Sequence, residues 1–181
     1  DRAKDRMASR RVLVLDHCTP TPDQDSGSID TYNLMLLLRE MGFQVTFIAE
    51  DNFLYMKPYT EDLQRVGIEV LYAPYCLSVE EHLKKHGARY DLALLIRPGV
   101  MERHHATIRK YCPLAKILFH TVDLHFLRMG REAALMQSAD LQAKADDMKK
   151  RELNLIQLAD AATVISEHEY AMLQNEVAPN K

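Results

Sequence analysis

Between Phe119 and Met129 the sequence FHTVDLHFLRM places two imidazoles, a carboxylate and a guanidinium: His120, Asp123, His125 and Arg128. The run that leads into it, AKILFH, is apolar and strand-like. A strand that only closes a core ends in turn residues. This one ends in groups that hold protons and charge. An imidazole directly after a buried strand can take or share a proton near neutral pH, and a nearby carboxylate such as Asp123 can orient it. The other reading of His120 is a hydrogen-bonded core histidine. For His125 the leading reading is a structural hydrogen bond where the chain approaches its next helix. No metal site is expected. The residue types at 120, 123 and 125 are suitable ligands, but their spacing matches no strong metal pattern. His104 and His105 are neighbours on a helix, so their side chains diverge by about 100°.

The elements that must position these groups alternate along the chain. RVLVLDH, at 11–17, is a short, continuously apolar, β-branched run, as in a parallel strand buried on both faces. Further strands are expected at 43–50, 68–73, 90–98, 115–120 and 160–166. Helices are expected at 29–42, 61–67, 78–87, 100–111 and 167–176. A long helical region at 127–159 is expected to break near Met129–Gly130. SVEEHLKKHG carries a capping box and closes on lysine, histidine and glycine, while Gly42 and Gly67 supply stops for their helices. Six strands alternating with helices predict an α/β fold: a doubly wound, Rossmann-like parallel sheet with helices on both faces and strand order 3-2-1-4-5-6.

Ligands of such sheets bind outside the carboxyl ends of the strands, near the switch in strand order. Those ends carry Asp16-His17, the loop to Ser28, Arg97-Pro98-Gly99, His120 to Arg128, and Ser166-Glu167. The catalytic candidates are His120 and Asp123. The substrate-binding candidates are Ser26, Gly27, Ser28, Arg97, His125, Arg128 and Glu167. The first loop, PTPDQDSGS, is neither a GxGxxG nor a GxxxxGKS phosphate loop. Gly27 before a helix can let backbone approach an anion; equally, Gly27 permits a turn and Ser26 or Ser28 caps the helix. Asp23 and Asp25 would repel a pyrophosphate, so no redox dinucleotide is expected, nor any other cofactor.

The chain of 181 residues fits one domain. A net charge of -3 exerts no global pull toward nucleic acid. Cys18, Cys76 and Cys112 have no CxxC spacing, which favours free thiols in a reducing, cytoplasmic compartment. No apolar run approaches the roughly 18 residues that span a bilayer. Residues 1–10 are expected to be a linker outside the fold, 11–176 the domain, and 177–181 the start of a second linker.

The runs RVLVLDHCTPTPDQDSGSIDTYNLMLLLREMGFQVTFI, YDLALLIRP, ILFHTVDLHFLR and ADAATVISEHEYAML, in that order, resemble the N-terminal domain of a GT-B glycosyltransferase, and more narrowly the retaining group called family four. The resemblance spans about 11–176. It implies one half of a GT-B fold that mainly holds a sugar or glycan acceptor, with the nucleotide sugar bound mainly by a C-terminal domain absent from this sequence. It places Ser26-Gly27-Ser28 at the cleft and His120 at the transfer site. The family's paired glycine is reduced here to Gly27. The implied activity is transfer of a hexose-like unit, metal-independent, for a bacterial cell-surface polysaccharide, with peripheral membrane association of the whole protein as a further partner. The other class of reading is a non-catalytic Rossmann-like binding or regulatory domain within a larger polypeptide.

Overall fold

The computed structural model describes residues 10–177. The expected linkers, apart from Arg10 and Val177, lie outside them. Strands β1 (Arg10–Asp16), β2 (Phe43–Ala49), β3 (Glu69–Leu71), β4 (Leu92–Ile96), β5 (Lys116–His120) and β6 (Ala161–Thr163) form one sheet of order β3-β2-β1-β4-β5-β6. Every pairing is parallel. The order reverses between β1 and β4, as the alternating pattern predicts.

Helices α1 (Ser26–Glu40), α2 (Tyr59–Arg65), α3 (Val79–His86), α4 (Pro98–Tyr111), α5 (His125–Met136), α6 (Ala139–Leu158) and α7 (Glu167–Leu173) cover both faces. The strands are apolar on both sides because each side meets helices. Val12, Val14, Phe47, Leu94 and Ile96 pack on Met35, Leu38 and Leu63 of α1 and α2. Leu13, Leu15, Leu95, Ile117 and Phe119 pack on Leu83, Val100, Ile108, Leu155 and Leu173, from α3, α4, α6 and α7. Successive strand side chains point to opposite faces. Asp16 and His120 therefore continue the alternation of Val14 and Leu118 toward the α1 side.

Local signals set most boundaries. Gly42 and Gly67 adopt φ of 86° and 84°, conformations that glycine reaches without strain. The Ser78 side chain caps α3 by accepting from the Glu81 N–H. β3, β4, β6 and α7 are shorter than expected, α2, α4 and α5 begin two residues earlier, and two further differences have a visible cause. α1 starts at Ser26 rather than Ile29, because its cap is Asp25, which accepts from the Ser28 N–H; neither serine is the cap. The long helical region breaks at Gln137–Ser138 rather than at Met129–Gly130. Gln137 is left-handed at φ 49°, and Ser138 caps α6 through the Leu141 N–H. Gly130 lies within α5, whose hydrogen bonds tolerate it.

The start of α5 is held from outside its own segment. Its N-cap, Leu124, offers no side-chain acceptor. The fully buried Glu152 of α6 takes the role, accepting from the His125 and Phe126 N–H groups at 3.0 Å each, with His125 Nδ1 at 2.9 Å. Buried Glu169 adds bonds from the N–H groups of Leu124, at 3.4 Å, and Ile165, at 3.2 Å. No helix among the described residues is long and apolar enough to cross a membrane, and all three cysteines are unpaired.

Replacing Glu152 with alanine is expected to strand the His125 and Phe126 N–H groups, costing about 1–3 kcal/mol for each. Urea denaturation measures the loss. An unchanged midpoint would mean that α5 is held in place by something else.

Candidate functional site

Three neighbouring strands end in a row of polar groups. Leu15 of β1 pairs with Leu95 of β4, and Ile96 pairs with His120 of β5. Asp16, Arg97 and His120 therefore stand side by side at the carboxyl edge. Asp16 is 1% exposed. Its carboxylate accepts from Arg97 Nε at 2.9 Å, the Thr31 hydroxyl at 3.2 Å and the His17 N–H at 2.6 Å. Burial pushes its pKa up, against the pull of the Arg97 charge.

Arg97 reaches this position from an unusual backbone. Its φ is 76°, a region that non-glycine residues seldom enter. Its N–H donates to the His120 carbonyl at 2.9 Å. The N-terminus of α1 closes tightly over the row. A Cβ on Gly27 would lie 3.0 Å from Val122 Cγ1 and 3.3 Å from Arg97 Nη2, so a larger residue there would push these side chains aside by a few tenths of an ångström.

His120 is 4% exposed. Its Nδ1 lies 2.9 Å from the Thr163 hydroxyl, while its buried Nε2 meets no hydrogen-bond partner among the described residues. An unmade buried hydrogen bond costs roughly 1–3 kcal/mol, and such exceptions call for an explanation. Burial lowers the pKa from 6.5, opposed by Asp30 and aided by Arg97. The imidazole is consequently neutral at pH 7.

A cavity of about 290 Å³ opens at the β1–β4 switch, lined by His17, Arg97, Gly99, Arg103, His125 and Arg151 among others. The first turn of α4 forms part of its wall, and no side chain caps that helix, so the helix end contributes positive potential. Each arginine is backed by a carboxylate: Arg97 by Asp16, Arg103 by Glu50 and Arg151 by Glu102. Burial raises the Glu50 pKa, but hydrogen bonds from Arg103 and His104 outweigh it and hold the carboxyl below its ordinary range. The wall is rich in fixed donors with their charge largely balanced. It suits hydroxyl groups and charge that develops transiently.

The expected site residues divide. Gly27, Arg97 and His120 meet in the row, and His125 joins Arg97 at the cavity. Ser28 is buried and tied to Asp25, its hydroxyl donating at 2.6 Å; Ser26 is exposed in the same turn. Asp123 does not orient His120, a role that falls to Thr163. Its carboxylate sits 3.7 Å from His125 Nε2 and 3.6 Å from Arg128 Nε. His125 has the structural bond expected of it, to Glu152. Glu167 is exposed, and its neighbour Glu169 turns inward instead. Asp16, Glu50, Thr163 and Glu152 were not among the candidates. Asp16 had a signal, as the last residue of an apolar strand. Glu152, inside a charged helical stretch, had none.

No family model matches this sequence, and no curated protein matches it. Among solved structures, the fold is similar to sucrose-phosphate synthase from Thermosynechococcus elongatus. The TM-score is 0.59, with 14% sequence identity over 93% of this chain and 45% of that one. This chain therefore spans less than half of that protein's length. The likeness is one of fold: the domain has a Rossmann-like architecture, that of one half of a GT-B fold.

The two site histidines should titrate in opposite directions from 6.5. Burial lowers His120, whereas the hydrogen bond to Glu152 raises His125. His120 then contributes stability that is present above 6.5 and lost as pH falls through its depressed folded value. His125 contributes stability that is present below 6.5 and lost as pH rises through its elevated one. Histidine side-chain NMR titration reads both; a His120 that titrates above His125 would contradict the environments described.

Proposed function

We propose that this domain is the acceptor-side half of a nucleotide-sugar-dependent glycosyltransferase. It would be a retaining enzyme of the family-four kind that builds a bacterial cell-surface polysaccharide from the cytoplasmic side. The observation that carries the reading is the Asp16–Arg97–His120 row at the sheet's switch point, with one imidazole nitrogen unpartnered and with Arg97 lining a donor-rich cavity. The fold supports it, being similar to part of a sucrose-phosphate synthase.

Sugar transfer passes through an oxocarbenium-like transition state. It calls for preorganised donors and dipoles more than for a strong nucleophile. A neutral His120 whose Nδ1 is already fixed can give or receive a hydrogen bond through Nε2. Arg97, held by Asp16, supplies fixed positive charge near the same edge. Arg103 and Arg151 offer donors to acceptor hydroxyls, and Asp123 and Arg128 form a polar rim. The nucleotide sugar would be held mainly by a second domain. Consistent with that division, the N-terminus of α1, where a phosphate could dock, is already filled by the Asp25 carboxylate. A membrane surface would be a peripheral partner of the whole protein.

In the natural protein that carries this domain, His120→Ala is expected to lower turnover by about 10²–10³, the usual effect of losing one preorganised donor. Its stability should fall less than its turnover, by roughly 1–3 kcal/mol, since the substitution leaves the Thr163 hydroxyl without its imidazole partner. Near-normal turnover together with a lower midpoint would make His120 structural and remove it from the site. The domain alone is expected to bind nucleotide sugars too weakly for calorimetry at micromolar concentrations. Micromolar binding would reverse the assignment of halves.

A further inference from the structure

A second, larger cavity lies between α1, α2 and the loops that lead into them. It measures about 480 Å³, within the roughly 300–1,000 Å³ of typical ligand pockets. Half of its lining residues carry rings: Pro20, Pro22, Tyr32, Pro58 and Tyr59. The Tyr59 hydroxyl accepts from Gln24 Nε2 at 2.8 Å and donates to Asp23 Oδ2 at 3.1 Å. The ring is thereby fixed before any ligand arrives. Asp23 and Asp62 add carboxylates to the lining, and its cation, Arg65, is engaged by Asp62 and Glu61.

We propose that this groove is a subsite for a neutral carbohydrate, holding an acceptor glycan beyond the residue that reacts. The inference rests on the acceptor-side reading above and names the class of chain it takes. Three features favour that occupant. The electron-rich face of an aromatic ring attracts positively polarised hydrogen, and a sugar ring presents a face of C–H bonds. Apart from Arg65, whose guanidinium is held by Asp62 and Glu61, the polar groups are acceptors: two carboxylates and a tyrosine whose proton is already donated. A polyol brings the O–H donors they lack. A nucleotide would bring phosphate against Asp23 and Asp62. A proline-rich peptide, the other ligand of aromatic grooves, would bring carbonyl oxygens where acceptors already stand.

The groove is continuous with the row through one loop. The segment that carries Pro20, Pro22 and Asp23 runs on to Asp25, which caps α1 beside Gly27 and Arg97. A glycan lying along α1 would reach the carboxyl edge at that point.

The test uses the full natural protein, with maltotriose, cellotriose and N-acetylchitotriose as probes and decaproline as the contrasting ligand. At least one oligosaccharide should bind by calorimetry. Tyr59→Ala and Tyr32→Ala should each weaken it about tenfold or more, while Tyr59→Phe, which keeps the ring, should lose less than Tyr59→Ala. Failure of all three sugars to bind, binding indifferent to Tyr59→Ala, or decaproline as the ligand sensitive to Tyr59 would each overturn the subsite. The two readings fail separately. Sugar transfer whose acceptor KM ignores Tyr59→Ala removes the subsite and leaves the transferase. Oligosaccharide binding sensitive to Tyr59, in a protein that transfers no sugar, does the reverse.

Discussion

The ion pair between Asp16 and Arg97 joins the two strands at which the sheet changes direction. Asp16 ends β1 inside the protein, where a lone carboxylate is very costly. Arg97 answers it from just beyond the end of β4, and Thr31 and the His17 N–H satisfy the remaining acceptor capacity. Holding the guanidinium there requires a left-handed backbone at Arg97, a strain of order 1–3 kcal/mol. That backbone also directs the Arg97 N–H to the His120 carbonyl and begins α4 at Pro98. One interaction thus sets the end of β1, the start of α4 and the neighbour of His120. Gly27 suits this arrangement, because a Cβ there would crowd Val122 and the Arg97 guanidinium as α1 lies over the pair.

Helix N-termini decide where an incoming group can go. Serine side chains close α3, α6 and α7. Asp25 closes α1, and Glu152 closes α5 from another helix. α4 has no side-chain cap, and its first turn faces the cavity at the switch point. α2, which begins after Pro58, likewise has no side-chain cap, so two helix ends keep their positive potential, and that of α4 is directed at the switch-point cavity. That focus matches a site for developing charge better than a pyrophosphate cradle.

His125 and Asp123 show why adjacency in sequence is a poor guide to partnership. Both fall within five residues of His120 and carry suitable chemistry. The left-handed backbone at Val122, φ 68°, turns the chain there. After the turn, His125 is drawn to Glu152 and Asp123 to the His125–Arg128 rim. His120, on the strand itself, is oriented by Thr163 from the neighbouring strand β6. A side chain on a strand finds its partner across the ladder, some forty residues away here, rather than along the chain.

The sequence by itself determined the doubly wound sheet, its strand order and the edge that carries the polar groups. Those features depend on short-range patterning: apolar runs at 11–17 and 115–120, glycine stops at 42 and 67, and the right-handedness of parallel crossovers. The position of Arg97 and His120 at that edge was legible for the same reason, since a residue's place in a strand fixes its end of the sheet. Tertiary structure alone decided their partners. Glu152 caps α5 across a helix pair, Asp25 rather than a serine starts α1, and Thr163 rather than Asp123 holds His120. Each is a contact between groups whose separation in space depends on how elements pack. Periodicity reports the face a side chain occupies, but not which group stands opposite it.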